Sequence, residues 1–343
     1  MKVIVTGAAG LIGRHVCTDM LLRGNNVVGI DNDSRKLFFG EEGSTASVIS
    51  TLTQHCNYTH FNCDVSDFDA IKNIFKKHPA DLIVHAAAQP SHDAAAKFPL
   101  LDASTNVMGT LSVLEAFRNE CSSAVFVHLS TNKVYGDHPN KVALREHETR
   151  YDYAEAIHGI DESMSTAGGV HSVFGVAKLA AEAYVTEYGT NFGLKTCSLR
   201  GGCLTGPGHA SVELHGFLSY IVKCALLNKQ YTIFGYKGKQ VRDQLHAADV
   251  AALIRALSAT PVTPGSVFNI GGGRNNSASI LESITLIHNL LNKDLDYRYC
   301  ATPRVGDHIC YITDNSAITK ATGWTPKISL PEIISDIANG FNK

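Results

Sequence analysis

Met1-Lys-Val-Ile-Val-Thr-Gly7-Ala-Ala-Gly10-Leu-Ile-Gly13 opens the chain as an apolar run that passes directly into regularly spaced glycines. Arg14 to Leu22 continues as a helical pattern. A strand that turns on glycine into a helix N-terminus aims backbone N–H groups, and the positive end of the helix dipole, at a phosphate. In this reading Gly7 permits the tight turn and Gly10, followed by Leu11 and Ile12, lets the backbone approach a pyrophosphate. Gly13 lets the helix close on the strand. A second apolar run, Asn26–Ile30, ends in Asp31, with Asn32 and Arg35 just beyond. An acid at that point can take both hydroxyls of an adenosine ribose and repels a 2′-phosphate. The expected cofactor is therefore NAD rather than NADP, although Arg35 could offset the repulsion. The alternative is a tight turn with no ligand.

Bulk properties narrow the function. A chain of 343 residues can bury a large core, as one domain with a substantial lobe or two joined domains. A net charge of −2 gives no electrostatic case for nucleic acid or a membrane surface. No apolar run approaches the ~18 residues of a spanning helix, and the N-terminus reads as a core strand, not a signal peptide. The nine cysteines form no C-x-x-C pair, and Cys17 and Cys224 sit in helical patterns as small apolar residues. This predicts a reducing cytoplasm without disulfides. The sixteen histidines lack ligand spacing, so no metal is expected.

Strand-like runs at Val3–Val5, Val27–Ile30, Tyr58–Asn62, Leu82–His85, Val125–Leu129 and Thr196–Leu199 alternate with helical patterns. The helical patterns include Asp67–Lys77, Thr105–Asn119 and Val173–Tyr188. The alternation predicts an α/β fold, a Rossmann-type doubly wound parallel sheet with ligands beyond the carboxyl ends of its strands. After residue 200 the pattern becomes loop-rich, with apolar runs at Tyr231–Phe234 and Val267–Ile270 and helices near Glu213–Leu227 and Ser279–Leu291. Residues 1–200 are thus expected to bind the dinucleotide, with some later segments returning to that domain, and 201–343 to form a smaller substrate-binding lobe. The polar stretch from Arg145 to Gly169 reads as a surface insertion or, less favoured, a mobile substrate loop.

Further motifs follow in order: Cys63-Asp64-Val65, His85-Ala86-Ala87-Ala88-Gln89, Asn106-Val-Met-Gly-Thr, Ser130-Thr131-Asn132-Lys133-Val134-Tyr135-Gly136 and Lys178. Arg242-Asp-Gln-Leu-His, Phe268-Asn-Ile-Gly, Arg304-Val-Gly-Asp307 and Gly323-Trp-Thr-Pro complete the series. Together with Thr6–Gly13 they resemble the extended short-chain dehydrogenase/reductase family of nucleotide-sugar epimerases and dehydratases over nearly the whole chain. Ser130–Asp137, Glu148–Tyr151 and Gly238–Asp243 are most similar to its CDP-tyvelose (CDP-paratose) 2-epimerase branch. The resemblance implies adenine contacts at Asp64 and Val65 and a dinucleotide groove lined by Ala86, Ala87, Ala88, Gln89 and Asn106. Thr131 would bond the sugar oxygen being oxidised, and Lys178 would hold the nicotinamide ribose. Arg242 and Arg304 would grip the diphosphate of a nucleoside-diphosphate sugar, as planar guanidinium groups do well; the alternative is an ion pair with Asp243 or Asp307. Cys203 and Glu213 are further candidates on the substrate side, Cys203 alternatively a buried thiol and Glu213 a helix-start carboxylate. The family chemistry is NAD-dependent epimerisation through a transient keto-sugar, serving polysaccharide synthesis, in a homodimer or tetramer built on paired helices.

One position departs from the pattern. The family carries Tyr-x-x-x-Lys, whereas this chain has Phe174-Gly-Val-Ala-Lys178. The tyrosine hydroxyl is the acid/base that moves a proton as hydride moves, and phenylalanine cannot do this. Losing such a group costs ~10²–10⁴-fold. His171, three residues before Phe174, would share a helix face with it and with Lys178 and could substitute. Tyr135, Lys133 and a desolvated Lys178 are the other candidates, and each has a structural alternative. The adjacent Gly201 and Gly202 would open space beside the nicotinamide. A dehydratase, a plain dehydrogenase or a non-catalytic NAD-binding sensor remain alternatives, although Asn132 and Lys133 after Thr131 speak against the acid-bearing dehydratase pattern.

Overall fold

Val3, Ile4 and Val5 are all buried on β1 (Lys2–Thr6), as a strand covered on both faces of a parallel sheet requires. In this computed structural model, which describes residues 1–209, 216–260, 263–304 and 306–341, β1 lies inside a seven-stranded sheet. It pairs in parallel with β2 (Asn26–Ile30), which pairs with β3 (Tyr58–Phe61). On its other side β1 pairs in parallel with β4 (Leu82–His85), which pairs with β5 (Val125–Thr131). Lys195–Gly201 and then Ser266–Ile270 extend the sheet beyond β5. Strand order therefore reverses at β1, the switch point of a doubly wound Rossmann fold.

Helix α1 (Leu11–Leu22) buries Val16, Cys17 and Met20 at helical spacing. The Phe68–Lys77 helix starts where the Asp67 side chain accepts from Ala70 N–H at 3.1 Å, and it buries Ile71, Ile74 and Phe75. It packs on the Gly109–Glu120 helix, in one core with Ile4, Ile83, Phe117 and Phe126. The expected Thr105–Asn119 helix has an unexpected start: Ser104–Met108 forms a π-helical step between the Pro99–Ala103 helix and the Gly109–Glu120 helix. Such steps recur at functional sites.

The chain divides into two units, and their boundaries differ from those expected. Unit one holds Met1–Val134, Val173–Arg200 and Val250–Phe268; unit two holds Tyr135–Ser172, Gly201–Asp249 and Asn269–Lys343. The Val267–Ile270 run belongs to the central sheet rather than to the lobe, because it finds its partner in Lys195–Gly201. The Arg145–Gly169 stretch is no peripheral insertion. Leu144–Glu146 pairs with Tyr151–Tyr153, Arg150 donates to Ser277 Oγ at 2.9 Å, and Ile312 N–H donates to the Tyr153 hydroxyl at 3.1 Å. Within unit two, Val241–His246 pairs with Cys203–Thr205, Ser277–Ser279 and Cys310–Tyr311. The Phe217–Leu227, Ile280–Leu291 and Leu330–Phe341 helices bury Leu218, Ile221, Ile287 and Ile333 together. A full capping box, Ser279 with Glu282, starts the second of these helices.

In unit one the Val173–Phe192 helix is tied to the sheet by a buried ion pair. Arg200 donates to Glu182 through Nε at 3.0 Å and Nη2 at 2.6 Å, and Ser130 Oγ donates to Glu182 Oε2 at 2.6 Å. Removing one member leaves an uncompensated charge, so Glu182→Ala is expected to cost roughly 3–5 kcal/mol. Urea unfolding of wild type and variant measures this as a lowered midpoint.

Candidate active site

The turn after β1 has the geometry of a dinucleotide cradle. Gly7 adopts φ 65°, and a Cβ there would lie 2.7 Å from Ala87 N. A Cβ on Gly13 would lie 2.0 Å from the Gly7 carbonyl oxygen, so helix and turn touch backbone to backbone. A Cβ on Gly10 would meet only that same oxygen, at 3.2 Å. No acid or side-chain cap occupies the start of α1, so the first-turn N–H groups of Leu11, Ile12 and Gly13 are left for an anion. These residues fit a pyrophosphate.

Asp31 sits at the end of β2, and its carboxylate accepts from Ala9 N–H and Asp33 N–H, each at 2.9 Å. It therefore also fastens the glycine turn to the next strand, beyond the ribose role expected for it. Asn32 donates to Asp64 Oδ2 at 3.0 Å, and Asp64 Oδ1 accepts from Ser66, which fixes the loop expected to hold adenine. Val65 is buried against Gly109. Arg35 donates to the Gly43 carbonyl at 2.7 Å and faces the charges of Asp31 and Asp33. Burial, and then Arg35 itself, pushes Arg14 down to about 10.

After β4, Ala86, Ala87 and Ala88 are half-buried, and Ala87 N–H donates to Thr6 Oγ1 at 3.3 Å. Gln89 and Asn106 do not reach into a groove as expected. Both are 1% exposed, and their side chains are spent on protein. Asn106 bonds both backbone groups of Gln89 at 3.1 Å and reaches Asp102 Oδ1 at 2.9 Å. Gln89 donates to Ser91 O at 2.9 Å and to Asp102 Oδ1 at 2.8 Å, and accepts from Ser91 N–H at 2.6 Å. Burial raises the Asp102 carboxyl, against these hydrogen bonds and the charge of Lys178.

Thr131 ends β5, its hydroxyl accepting from Lys133 N–H at 3.3 Å. The Val173–Phe192 helix packs on β5 and carries Phe174 and Lys178, which are 8% and 3% exposed. Lys178 Nζ lies 3.2 Å from His128 Nε2, and His128 Nδ1 lies 3.1 Å from Ser198 Oγ. Burial first, then Lys178 and His85, holds His128 well below its ordinary value, so the neutral ring accepts from the lysine. Burial pushes Lys178 down to about 8, against the opposing charges of Glu182 and Asp102. His85, held down to about 3 by burial and Lys178, bridges Thr6 Oγ1 and Thr110 Oγ1 at 2.7 and 3.0 Å.

Other expected site residues lie in unit two. His171 precedes the helix, which begins at Val173, so the helical spacing assumed for it does not apply; its Nδ1 lies 3.0 Å from Gly169 O. Tyr135 is fully buried and donates to Asn269 Oδ1 at 2.8 Å, the packing role rather than that of a base. Arg242 is 8% exposed and paired with Asp307, with Nη1 donating to Val241 O at 2.7 Å, so the ion-pair alternative is what forms. Arg304 is half-buried within electrostatic reach of Tyr231. Cys203 is half-buried and in no disulfide, and Glu213 lies outside the described residues. Gly201 opens no space, because Leu204 fills it: a Cβ would lie 2.9 Å from Leu204 Cδ1. Among the described residues no group of His, Cys, Asp and Glu could hold a metal, and no helix is long and apolar enough to cross a membrane. The sequence reading missed His92, whose ring lies 4.8 Å from that of Phe174, centroid to centroid.

A glycine cradle and an acid-tipped second strand, with Thr131 at the end of β5 and Lys178 on the helix that packs on β5, define a dinucleotide-dependent enzyme class. The chain belongs to the NAD dependent epimerase/dehydratase family, whose profile matches residues 3–271. It is 34% identical over 336 residues to CDP-paratose 2-epimerase of Salmonella typhi, covering 96% of each chain. UDP-glucose 4-epimerase of Thermotoga maritima, solved with UDP-glucose, superposes with TM-score 0.83 at 25% identity, covering 100% of this chain and 99% of that one. A Tyr-to-Phe mutant of UDP-glucuronic acid 4-epimerase from Bacillus cereus, solved with UDP-4-deoxy-4-fluoro-glucuronic acid and NAD, gives the same TM-score, 0.83, identity, 25%, and coverage, 100% and 99%.

Lys178 carries a pH signature. Folded, it releases its proton near pH 8; unfolded, near 10.5. Between those values the unfolded chain binds more protons, so its contribution to stability rises with pH. Relative to Lys178→Met, the wild type should gain unfolding free energy as pH rises from about 8 to 10.5. Chemical denaturation of both proteins across that range checks the sign.

Proposed function

We propose that this protein is an NAD-dependent epimerase of a nucleoside-diphosphate sugar, acting on a CDP-sugar as 2-epimerases do. One observation carries the reading. The glycine turn, Asp31, Ala86–Ala88 and Thr131 all follow the carboxyl ends of parallel strands in one sheet, where this fold binds its ligands. When bound, NAD supplies a hydride acceptor that gives the hydride back to the opposite face of a keto-sugar. Gly7, Gly10, Leu11, Ile12 and Gly13 hold the pyrophosphate, and Asp31 the adenosine ribose. Thr131 orients the sugar hydroxyl. The buried Lys178 supplies positive charge under the reacting centre, with Glu182 and Asp102 as counter-charges. Arg304 is the arginine proposed for the diphosphate, since Arg242 is committed to Asp307. None of the nine cysteines is in a disulfide, which suits a reducing cytoplasm.

Incubation of the NAD-loaded protein with CDP-, UDP-, GDP- and dTDP-sugars in heavy water, followed by NMR, tests this reading. A new stereoisomer of a CDP-sugar is the expected result. A deoxy-keto-sugar would mean a dehydratase, and an unchanged panel would sink the proposal.

The Pro99–Ala103, Ser104–Met108 and Val173–Phe192 segments support a homodimer. Leu101, Met108, Val176 and Tyr184 are 43%, 55%, 55% and 42% exposed on segments that pack side by side in unit one. Contiguous exposed apolar surface of this kind marks an interface. Sedimentation equilibrium should give twice the chain mass for the wild type and the single mass for Met108→Lys/Val176→Glu. A monomeric wild type would refute the dimer.

A further inference from the structure

To the candidates read from the sequence for the proton that Phe174 cannot carry, the structure adds His92. Tyr135 is fully buried and bonded to Asn269. Lys178 is 3% exposed, its Nζ directed to His128. His92, by contrast, is half-buried, with its ring 4.8 Å from that of Phe174 and tilted by 54°. At that separation the two rings are in contact, so an imidazole stands against the side chain that replaces the phenol. Resting on the epimerase reading above, we infer that His92 is the acid/base of this enzyme and has taken over the task of the missing tyrosine.

The surroundings hold His92 in place. Ser91, just before it, has its backbone N–H and carbonyl both bonded to the Gln89 side chain, at 2.6 and 2.9 Å. Asp102 and Asn106 brace Gln89 in turn. The Ser91 hydroxyl accepts from Ala94 N–H at 3.2 Å, which starts the His92–Lys97 helix. The buried network around Gln89 thus becomes the support of a loop that presents an imidazole, and reacting groups need such support. The ionisable groups on the elements packed against this helix are Asp102, Lys178, Glu182, Tyr184, Glu187 and Tyr188, with Asp93 and Lys97 on the helix itself.

The step balances. The alcohol loses a hydride from carbon and a proton from oxygen as it becomes a ketone. The two electrons of the hydride go to the bound dinucleotide, and the proton goes to a ring nitrogen of His92. The same proton returns when the ketone is reduced. An imidazole changes charge near pH ~6.5, which suits it to both directions at neutral pH.

Two measurements test the inference. The first is independent of turnover. In NAD-loaded protein labelled with [13C]histidine, the His92 line is identified by its loss in His92→Gln. Phe174→Tyr places a hydroxyl beside the imidazole and should move both that line and its titration midpoint. An unmoved line would overturn the inference. The second is kinetic. His92→Gln should lower kcat on the order of 10²–10⁴-fold while keeping NAD affinity, and should abolish the acidic limb of the pH profile. Added imidazole, or Phe174→Tyr in the same chain, should restore part of the rate. A His92→Gln enzyme with wild-type kcat and pH profile would overturn the assignment. A wild type that converts no sugar sinks the epimerase reading, while the histidine line still reports whether His92 stands beside residue 174.

Discussion

The first unit depends on a backbone contact that no side chain could survive. Helix α1 comes so near the turn after β1 that a Cβ on Gly13 would lie 2.0 Å from the carbonyl oxygen of Gly7. That proximity sets where the helix points. It also leaves the first-turn N–H groups without intrahelical partners at the switch point of the sheet, where strand order reverses. Asp31 reinforces the arrangement from β2 by accepting from Ala9 N–H. One carboxylate thereby couples the glycine turn to the end of the next strand.

Behind the strand ends runs a second, polar constraint. Thr6, His85 and Thr110 form one buried chain; Lys178, His128 and Ser198 form another, and the two histidine rings stack 5.8 Å apart. Groups this deep must be bonded or neutral. Both histidines are held neutral, so the only charges among these six side chains is that of the lysine, opposed by Glu182 and Asp102. Glu182 is itself occupied by Arg200 and Ser130. Burial, only partly offset by Glu182 and Asp102, is therefore why the Lys178 proton is held less tightly than that of a surface lysine.

The glycine turn, the acid after β2 and six of the seven strands of the central sheet were legible in the sequence, because local spacing determines them; the seventh, Ser266–Ile270, was read with the lobe. The gap at Phe174 was legible only through the family resemblance, which implies Tyr-x-x-x-Lys there. His92 was not: its meeting with Phe174 joins residues far apart in the chain, and no periodicity marks it. Gln89 and Asn106 were visible as motif residues, but a motif does not reveal which way an amide turns, and here both turn inward on Asp102. The Arg145–Gly169 stretch looked peripheral because its residues are polar. In the structure its Arg150 and Tyr153 bond to distant parts of unit two, so its polarity serves internal contacts. Arg242 illustrates a further limit, since spacing cannot tell a guanidinium offered to a phosphate from one already held by Asp307.

The π-helical step at Ser104–Met108 has a consequence for how this site can vary. A π turn contains one residue more than the α turn it replaces, so it behaves as a single-residue insertion absorbed without breaking the helix. Each residue of an α-helix advances the side chains by about 100°. Excising one residue would restore a regular helix and rotate everything before the step by that angle relative to everything after it. Asp102 lies before the step and Asn106 within it, and both hold Gln89. The length of this segment is thus locked to the alignment of its polar groups, so descendants of this chain can exchange side chains there far more readily than they can lose a residue.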